Sequence, residues 1–220
     1  MTTTLQDPKV ASALDRMYGE AAEQTAALRE RAGSLIQPSA SAQDRADALS
    51  DFYLPVTPVA GRLLYSLVRA ARPGMIVEFG MSLGISAIHL AAAVRDNGSG
   101  RVVTTELSAA KVSAAKKTFA ETGLDDLITV LEGDALTTLA DLDGPVDFVL
   151  LDGWKEFYLP VAKLLQPRLS SGALIVADNT DMDDTRPYLD HVRDPDNGYV
   201  SVNFLARDAD SMEISCRATV

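Results

Sequence analysis

Met75-Ile76-Val77-Glu78-Phe79-Gly80-Met81-Ser82-Leu83-Gly84-Ile85 reads as a short apolar strand, a glycine-bounded turn and the opening of a helix. The same rhythm continues downstream. Apolar runs fall at Met75 to Phe79, Arg101 to Thr105, Leu127 to Leu131, Val146 to Leu151 and Ala173 to Ala177. Helix-like stretches separate them at Ile85 to Val94, Ala109 to Thr122, Ala135 to Leu139 and Leu159 to Leu169. Strands alternating with helices make βαβ units and a parallel sheet, whose strands are buried on both faces and hence nearly continuous in apolar residues. The predicted class is α/β. Beyond a helix near Thr185 to Val192, Tyr199 to Leu205 and Met212 to Thr219 flank a polar turn, Ala206 to Ser211, and predict an antiparallel hairpin at a sheet edge.

Upstream, Asp7-Pro8 pairs a capping residue with proline at the first helical position, and Val10, Leu14, Met17, Ala21 and Leu28 recur at helical spacing. A helix from Pro8 to Arg31 is expected, broken by Gly33 and Gln37-Pro38-Ser39. A second should cover Gln43 to Ser50, and Leu54-Pro55-Val56-Thr57-Pro58 forms a stiff joint before a third, capped by Thr57 and ending near Arg72. The expected organisation is one domain over residues 1–220: a helical cap over 1–55, a cofactor- and metal-binding core over 56–180, and a helix with a hairpin over 181–220.

With 220 residues, 47% of them hydrophobic, the chain can bury one core of ordinary size. The net charge of -11 repels phosphate backbones and anionic lipid heads, which argues against nucleic acid and membrane partners. Cys216 stands alone, so no internal disulfide can form, and there is neither a leader-like segment nor an apolar run of about 20 residues. A cytoplasmic location is expected. The alanine- and leucine-rich opening helices are a candidate surface for a homodimer.

Ligands of open parallel sheets bind beyond the carboxyl ends of the strands, and here those ends are acidic or glycine-rich. Ser82 occupies the place of the second glycine of a dinucleotide-binding turn, and Glu78 precedes it; an acid there would repel a pyrophosphate but suits a cationic ligand. Such turns are also common for packing alone. At the next tip Glu106 could accept two ribose hydroxyls, and Asp134 could meet an adenine amino group or simply cap a helix. Two further tips end in Asp152-Gly153-Trp154-Lys155 and Asp178-Asn179. On neighbouring strands, roughly 5 Å apart, Asp152, Asp178 and Asn179 would surround one small volume. Close carboxylates repel unless a proton or cation lies between them, and an all-oxygen set favours magnesium over zinc. The competing reading is a pair of unrelated capping acids. His89 and His191 sit away from the tips and suggest structural roles, the acidic run Asp181, Asp183 and Asp184 suggests a solvated loop, and Phe52 and Tyr53 either wall a pocket or join the core.

These residues resemble the class I methyltransferases, specifically the metal-dependent catechol O-methyltransferase group and its bacterial relatives. The likeness runs from about Val56 to Asn179 and is most specific in Leu151-Asp152-Gly153-Trp154-Lys155, Tyr158-Leu159-Pro160 and Ala177-Asp178-Asn179. It implies a Rossmann-like fold: a seven-stranded, mostly parallel sheet with one antiparallel strand, helices on both faces and an N-terminal helical cap. It implies S-adenosyl-L-methionine as cofactor, with Glu78, Gly80, Ser82 and Ser86 at its methionine part and Glu106 at its ribose. Asp134, Ala135 and Trp154 would border the adenine, Asp152 would also face the cofactor, and Val56 would contact it from the N-terminal side. Asp152, Asp178 and Asn179 would hold Mg2+, or Mn2+ or Ca2+, and Lys155 would be the general base. The acceptor would be a small hydroxylated aromatic or diol. The chain departs from catechol O-methyltransferase at Gly153, where that enzyme has histidine, and near Ala206, where it places a glutamate against the acceptor. Two other readings share part of the pattern: a nicotinamide-dependent oxidoreductase, which leaves Asp152 and Asp178-Asn179 unexplained, and a non-catalytic S-adenosylmethionine-binding protein, which leaves Lys155 unexplained.

Overall fold

The computed structural model describes residues 2–35, 40–207 and 210–218. Three helices open the chain: α1 (Pro8–Leu35), α2 (Ala42–Ala48) and α3 (Pro58–Ala71). The alternating part follows as β1 (Met75–Phe79), α4 (Ile85–Asn97), β2 (Arg101–Glu106), α5 (Ala109–Thr122), β3 (Ile128–Glu132), α6 (Ala135–Thr138), β4 (Val146–Leu151), α7 (Tyr158–Leu165) and β5 (Leu169–Ala177). The chain then forms α8 (Arg186–Arg193), β6 (Tyr199–Arg207) and β7 (Asp210–Arg217).

The seven strands make one sheet in the order β3-β2-β1-β4-β5-β7-β6. Neighbours from β3 to β5 pair in parallel, and β7 runs antiparallel to both β5 and β6. One reversed strand is therefore built into the sheet, as the family resemblance implies. Successive side chains of a strand point to opposite faces, and two cores result. Ile76, Val102, Phe148 and Leu150 pack with α1, α3, α4 and α5 on one side; Val77, Phe79, Val149 and Leu151 pack with α6, α7 and α8 on the other. Among the described residues no helix is long and apolar enough to cross a membrane.

The strand and helix expectations hold for β1, β4 and α5 to the residue, and three departures have physical causes. First, α1 continues through Gly33 to Leu35, since an interior glycine costs a long helix only about 1 kcal/mol; Gln37-Pro38-Ser39 lie outside the described residues. Second, the helix expected to reach Leu169 ends at Leu165, followed by a short 3-10 turn around Pro167, which has no N–H to extend the ladder. Third, β5 begins at Leu169 rather than Ala173. Its polar start is held by Asp147, whose Oδ1 accepts the Ser170 hydroxyl at 2.6 Å while Oδ2 accepts the Gly74 and Met75 amides at 2.8 and 3.1 Å. Asp208, Ala209 and Thr219 of the expected hairpin fall outside the described residues.

α1 buries Val10, Leu14, Met17 and Ala21 along one stripe, as its spacing predicts, whereas Leu28 is half-exposed. Beneath it α3 and α4 touch closely: a Cβ on Gly61 would lie 2.6 Å from the His89 ring. His89 is buried and its Nδ1 sits 2.9 Å from the Ile85 carbonyl; burial lowers its pKa, which keeps it a neutral packing residue as expected. Gly61→Ala should therefore destabilise the protein by about 1–3 kcal/mol. Adding His89→Ala should recover part of that loss in urea unfolding, and an unchanged midpoint in the single variant would contradict the contact.

Candidate active site

The chain runs outward from β1 to β2 and β3 and then returns to place β4 and β5 on the other side of β1, so the strand order switches between β1 and β4. Switch points open a crevice at the carboxyl ends of the strands. Here it is a cavity of about 790 Å³, roofed by α1, α2 and the joint from Tyr53 to Pro58.

The two strand ends at the switch meet backbone to backbone. The Asp152 amide donates to the Phe79 carbonyl at 2.8 Å. Gly80 has φ +95, and a Cβ there would lie 2.4 Å from the Gly153 nitrogen, so position 80 requires glycine. A Cβ on Gly153 would meet the Phe79 ring at 2.6 Å. The space a side chain would need at 153 is thus held by Phe79, which accounts locally for the departure from histidine.

Gly80, Ser82, Glu106, Asp134, Ala135, Asp152, Trp154, Lys155, Asp178, Asn179 and Val56 all line this cavity. Glu78 and Ser86 stand behind its wall: Glu78 is fully buried, and Ser86 lines a small adjoining recess with Ser82 and Leu54. Tyr53 lines the cavity, its hydroxyl donating to Glu20 at 2.5 Å, whereas Phe52 belongs to the buried interior. The side chain of Ala206 lies outside the described residues. Asp181, Asp183 and Asp184 are exposed.

At the β1 and β2 tips, Glu106 accepts the Ser82 amide at 2.8 Å and the Ser108 amide at 2.9 Å. Asp134 does cap α6, with Oδ1 accepting the Leu136 amide at 2.9 Å, and it remains exposed on the cavity wall. Trp154 carries the Arg45 guanidinium 4.3 Å above its ring, and Arg45 pairs with Glu156. With Gln43 donating to the Leu107 carbonyl at 3.3 Å, this fastens α2 across the cavity. Arg45 and Lys111, which also lines the cavity, were not foreseen. Arg45 lies far from Trp154 in sequence and gives no local signal, but Lys111 shares a helical stripe with Ala115, Thr118 and Thr122, all buried.

At the other end, Leu151 and Ala177 are register partners on parallel strands, so Asp152 and Asp178 follow side by side, with the Asp178 amide donating to Leu151 at 3.0 Å. Lys155 donates to Asp152 Oδ1 at 3.2 Å and to the Tyr158 hydroxyl at 2.7 Å, which passes its own proton to the Asp178 carbonyl at 2.9 Å. Asn179 has φ 55 and Ser82 has φ 50; both are left-handed non-glycine residues at cavity turns, the strained backbone that collects at functional sites.

The sheet order is that of a class I methyltransferase, with the cavity at its switch point. Residues 77–180 match a family model described as a methyltransferase domain. A probable O-methyltransferase of Mycobacterium tuberculosis is 34% identical over 144 residues, spanning 60% of this chain and 60% of that protein. Catechol O-methyltransferase of Sus scrofa is 31% identical over 140 residues, spanning 60% of this chain and 74% of that protein. An O-methyltransferase from Bacillus cereus, solved with S-adenosylhomocysteine, superposes with TM-score 0.70 over 91% of this chain and 99% of its own at 20% identity. The chain belongs to the O-methyltransferases of the catechol O-methyltransferase type.

Glu78 gives this site a measurable signature. Burial pushes its carboxyl up to about 7, against the opposing Ser86 and Thr104 hydroxyls and with a smaller push from Glu106. Its Oε2 takes the Thr104 hydroxyl, while Oε1 is buried without a hydrogen bond of good geometry. Unfolded, the group titrates near 4.5, so between about 4.5 and about 7 the folded state holds the extra proton and stability falls as pH rises. Glu78→Gln should abolish that fall and leave the cofactor-free protein more stable than wild type at about pH 8, by on the order of 3 kcal/mol at most. Urea unfolding across this range checks it, and parallel curves for the two proteins would contradict it.

Proposed function

We propose that this protein transfers a methyl group from S-adenosylmethionine to a hydroxyl of a small catechol-like phenol or vicinal diol, with a divalent cation, magnesium by preference, and Lys155 as base. The observation that carries the reading is the joining of Asp152, Asp178, Asn179 and Lys155 on one wall of a cavity whose other end presents Glu106, Asp134 and Trp154. An all-oxygen donor set from two adjacent strand ends suits a hard cation. The glycine cradle at Gly80 and Gly153 and the buried, under-bonded Glu78 oxygen suit a cationic cofactor lying across the switch point.

In this reading Glu106 accepts the ribose hydroxyls, Trp154 and Ala135 border the adenine, and Val56, Gly80 and Ser82 approach the methionine part. Ser86 and Glu78 act from behind, Glu78 supplying negative charge toward the amino group. Asp152, Asp178 and Asn179 would hold the cation. When bound, the cofactor supplies an electrophilic methyl on a sulfonium, and the cation supplies positive charge that lowers a hydroxyl pKa and fixes its position. To act as base Lys155 would be unprotonated, its two N–H bonds directed to Asp152 and Tyr158, which fixes Nζ and turns its lone pair to the acceptor hydroxyl. The proton would leave the acceptor hydroxyl for the Nζ lone pair as the oxygen–methyl bond forms and the methyl–sulfur bond breaks, the departing sulfur leaving as the neutral thioether of S-adenosylhomocysteine. α2, pinned by Arg45 on Trp154, excludes water from a step that neutralises charge.

A screen of phenols and vicinal diols for methyl transfer, with and without magnesium, tests this most broadly. Turnover should require the metal and vanish with a chelator; metal-independent methylation would remove the cation from the account. Lys155→Met should lower turnover by about a hundredfold or more with cofactor affinity retained. Full activity in that variant at neutral pH would exclude Lys155 as the base. Asp178→Ala should lose metal-dependent turnover entirely.

A further inference from the structure

Ser82 is a junction of four segments. Its amide donates to Glu106 Oε2 at 2.8 Å, and its hydroxyl accepts the Leu54 amide at 3.3 Å and Lys111 Nζ at 3.1 Å. The β1 turn, the β2 tip, the α5 side chain and the joint below the cap are thereby tied at one residue. Lys111 is only 3% exposed, and burial lowers its pKa, partly offset by Glu106. An ammonium is expensive to bury, yet this one bonds a neutral hydroxyl and meets Glu106 only through space. A methionine of the same length would fill the site without that cost, so the charge calls for a role beyond packing.

We propose that Lys111 is a positioning residue for the nucleoside end of the cofactor: through Ser82 it braces the glycine turn, and by its charge it keeps the Glu106 carboxylate available as a double acceptor for the ribose diol. The inference rests on the S-adenosylmethionine reading above.

The charges around Glu106 show what Lys111 opposes. Glu78 faces it from β1, Glu132 is its register partner on β3, and Asp134 shares the cavity wall at the β3 tip. Of the charged groups gathered there, Lys111 on α5 is the cation. Burial raises the Glu106 pKa, while the Ser108 amide, Lys111 and the Ser82 and Leu107 amides lower it. Remove the ammonium, and burial, which raises the Glu106 pKa, is opposed by the backbone amides alone, so the protonated carboxyl gains. A protonated Glu106 has one acceptor oxygen fewer for a diol that offers two donors.

Titration calorimetry with S-adenosylmethionine and with S-adenosylhomocysteine, from mildly acidic to mildly alkaline pH, tests the proposal on wild type, Lys111→Met and Lys111→Arg. The acid-side midpoint of affinity should move up by roughly one pH unit in Lys111→Met, lowering affinity about tenfold on the acid side of both midpoints for both ligands. Turnover at saturating cofactor should be largely kept, and Lys111→Arg should restore the wild-type midpoint. An unmoved midpoint in Lys111→Met overturns the proposal, as does a shift for the sulfonium ligand alone, which would reflect charge balance and not the ribose. If Lys111→Met does not fold, Ser82→Ala must show a shift of the same sign, and its absence is equally decisive. Failure of wild type to bind either ligand would instead overturn the cofactor reading itself.

Discussion

Strands β1 and β4 end in direct backbone contact, and the rest of the site is built around that contact. The Asp152 amide reaches the Phe79 carbonyl, a Cβ on Gly80 would strike the Gly153 backbone, and one on Gly153 would strike the Phe79 ring. Because β2 and β3 lie on one side of this seam and β5 on the other, their tips splay apart and leave a crevice. One arm of it gathers groups able to hold a nucleoside, and the other gathers carboxylates. The seam brings the two arms into a single cavity, the condition for a bound donor and a bound acceptor to face each other.

Around the seam, polar groups are held by neighbours from other elements. Lys155, Asp152, Tyr158 and the Asp178 carbonyl form one hydrogen-bonded chain across β4, α7 and β5. Glu106, Ser82, Leu54 and Lys111 form another across β2, the β1 turn, the cap joint and α5. Arg45 adds a third tie, stacking on Trp154 from α2. Each tie reduces the freedom of a side chain that would otherwise have to be ordered on binding, which is the physical meaning of a preorganised site.

Much of this was legible in the residues. β1 and β4 are apolar but for Glu78 and Asp147 because both faces are covered, so their limits show in composition alone. The tips of parallel strands necessarily collect at one edge, and Asp152 with Asp178-Asn179 could be grouped without knowing the fold in detail. What remained hidden depends on contacts between distant segments. The polar start of β5 is held by Asp147, and neither Leu169 nor Ser170 announces a strand by itself. Arg45 gives no sign of Trp154 more than a hundred residues away. Lys111 sits near Lys116 and Lys117 and reads as one more surface lysine until its helical phase with Ala115 is followed. Glu78 precedes the glycine turn in sequence, and only strand alternation shows that it turns to the face covered by α4, behind the cavity wall.

In the proposed function, oxygen donors from two adjoining strand ends hold one divalent cation beside the methyl donor. Anomalous diffraction from crystals grown with manganese and S-adenosylhomocysteine measures this directly. A single strong peak should be enclosed by the side-chain oxygens of Asp152, Asp178 and Asn179, next to the cofactor sulfur. A cofactor-loaded crystal with no peak there, or with manganese bound elsewhere, would contradict it.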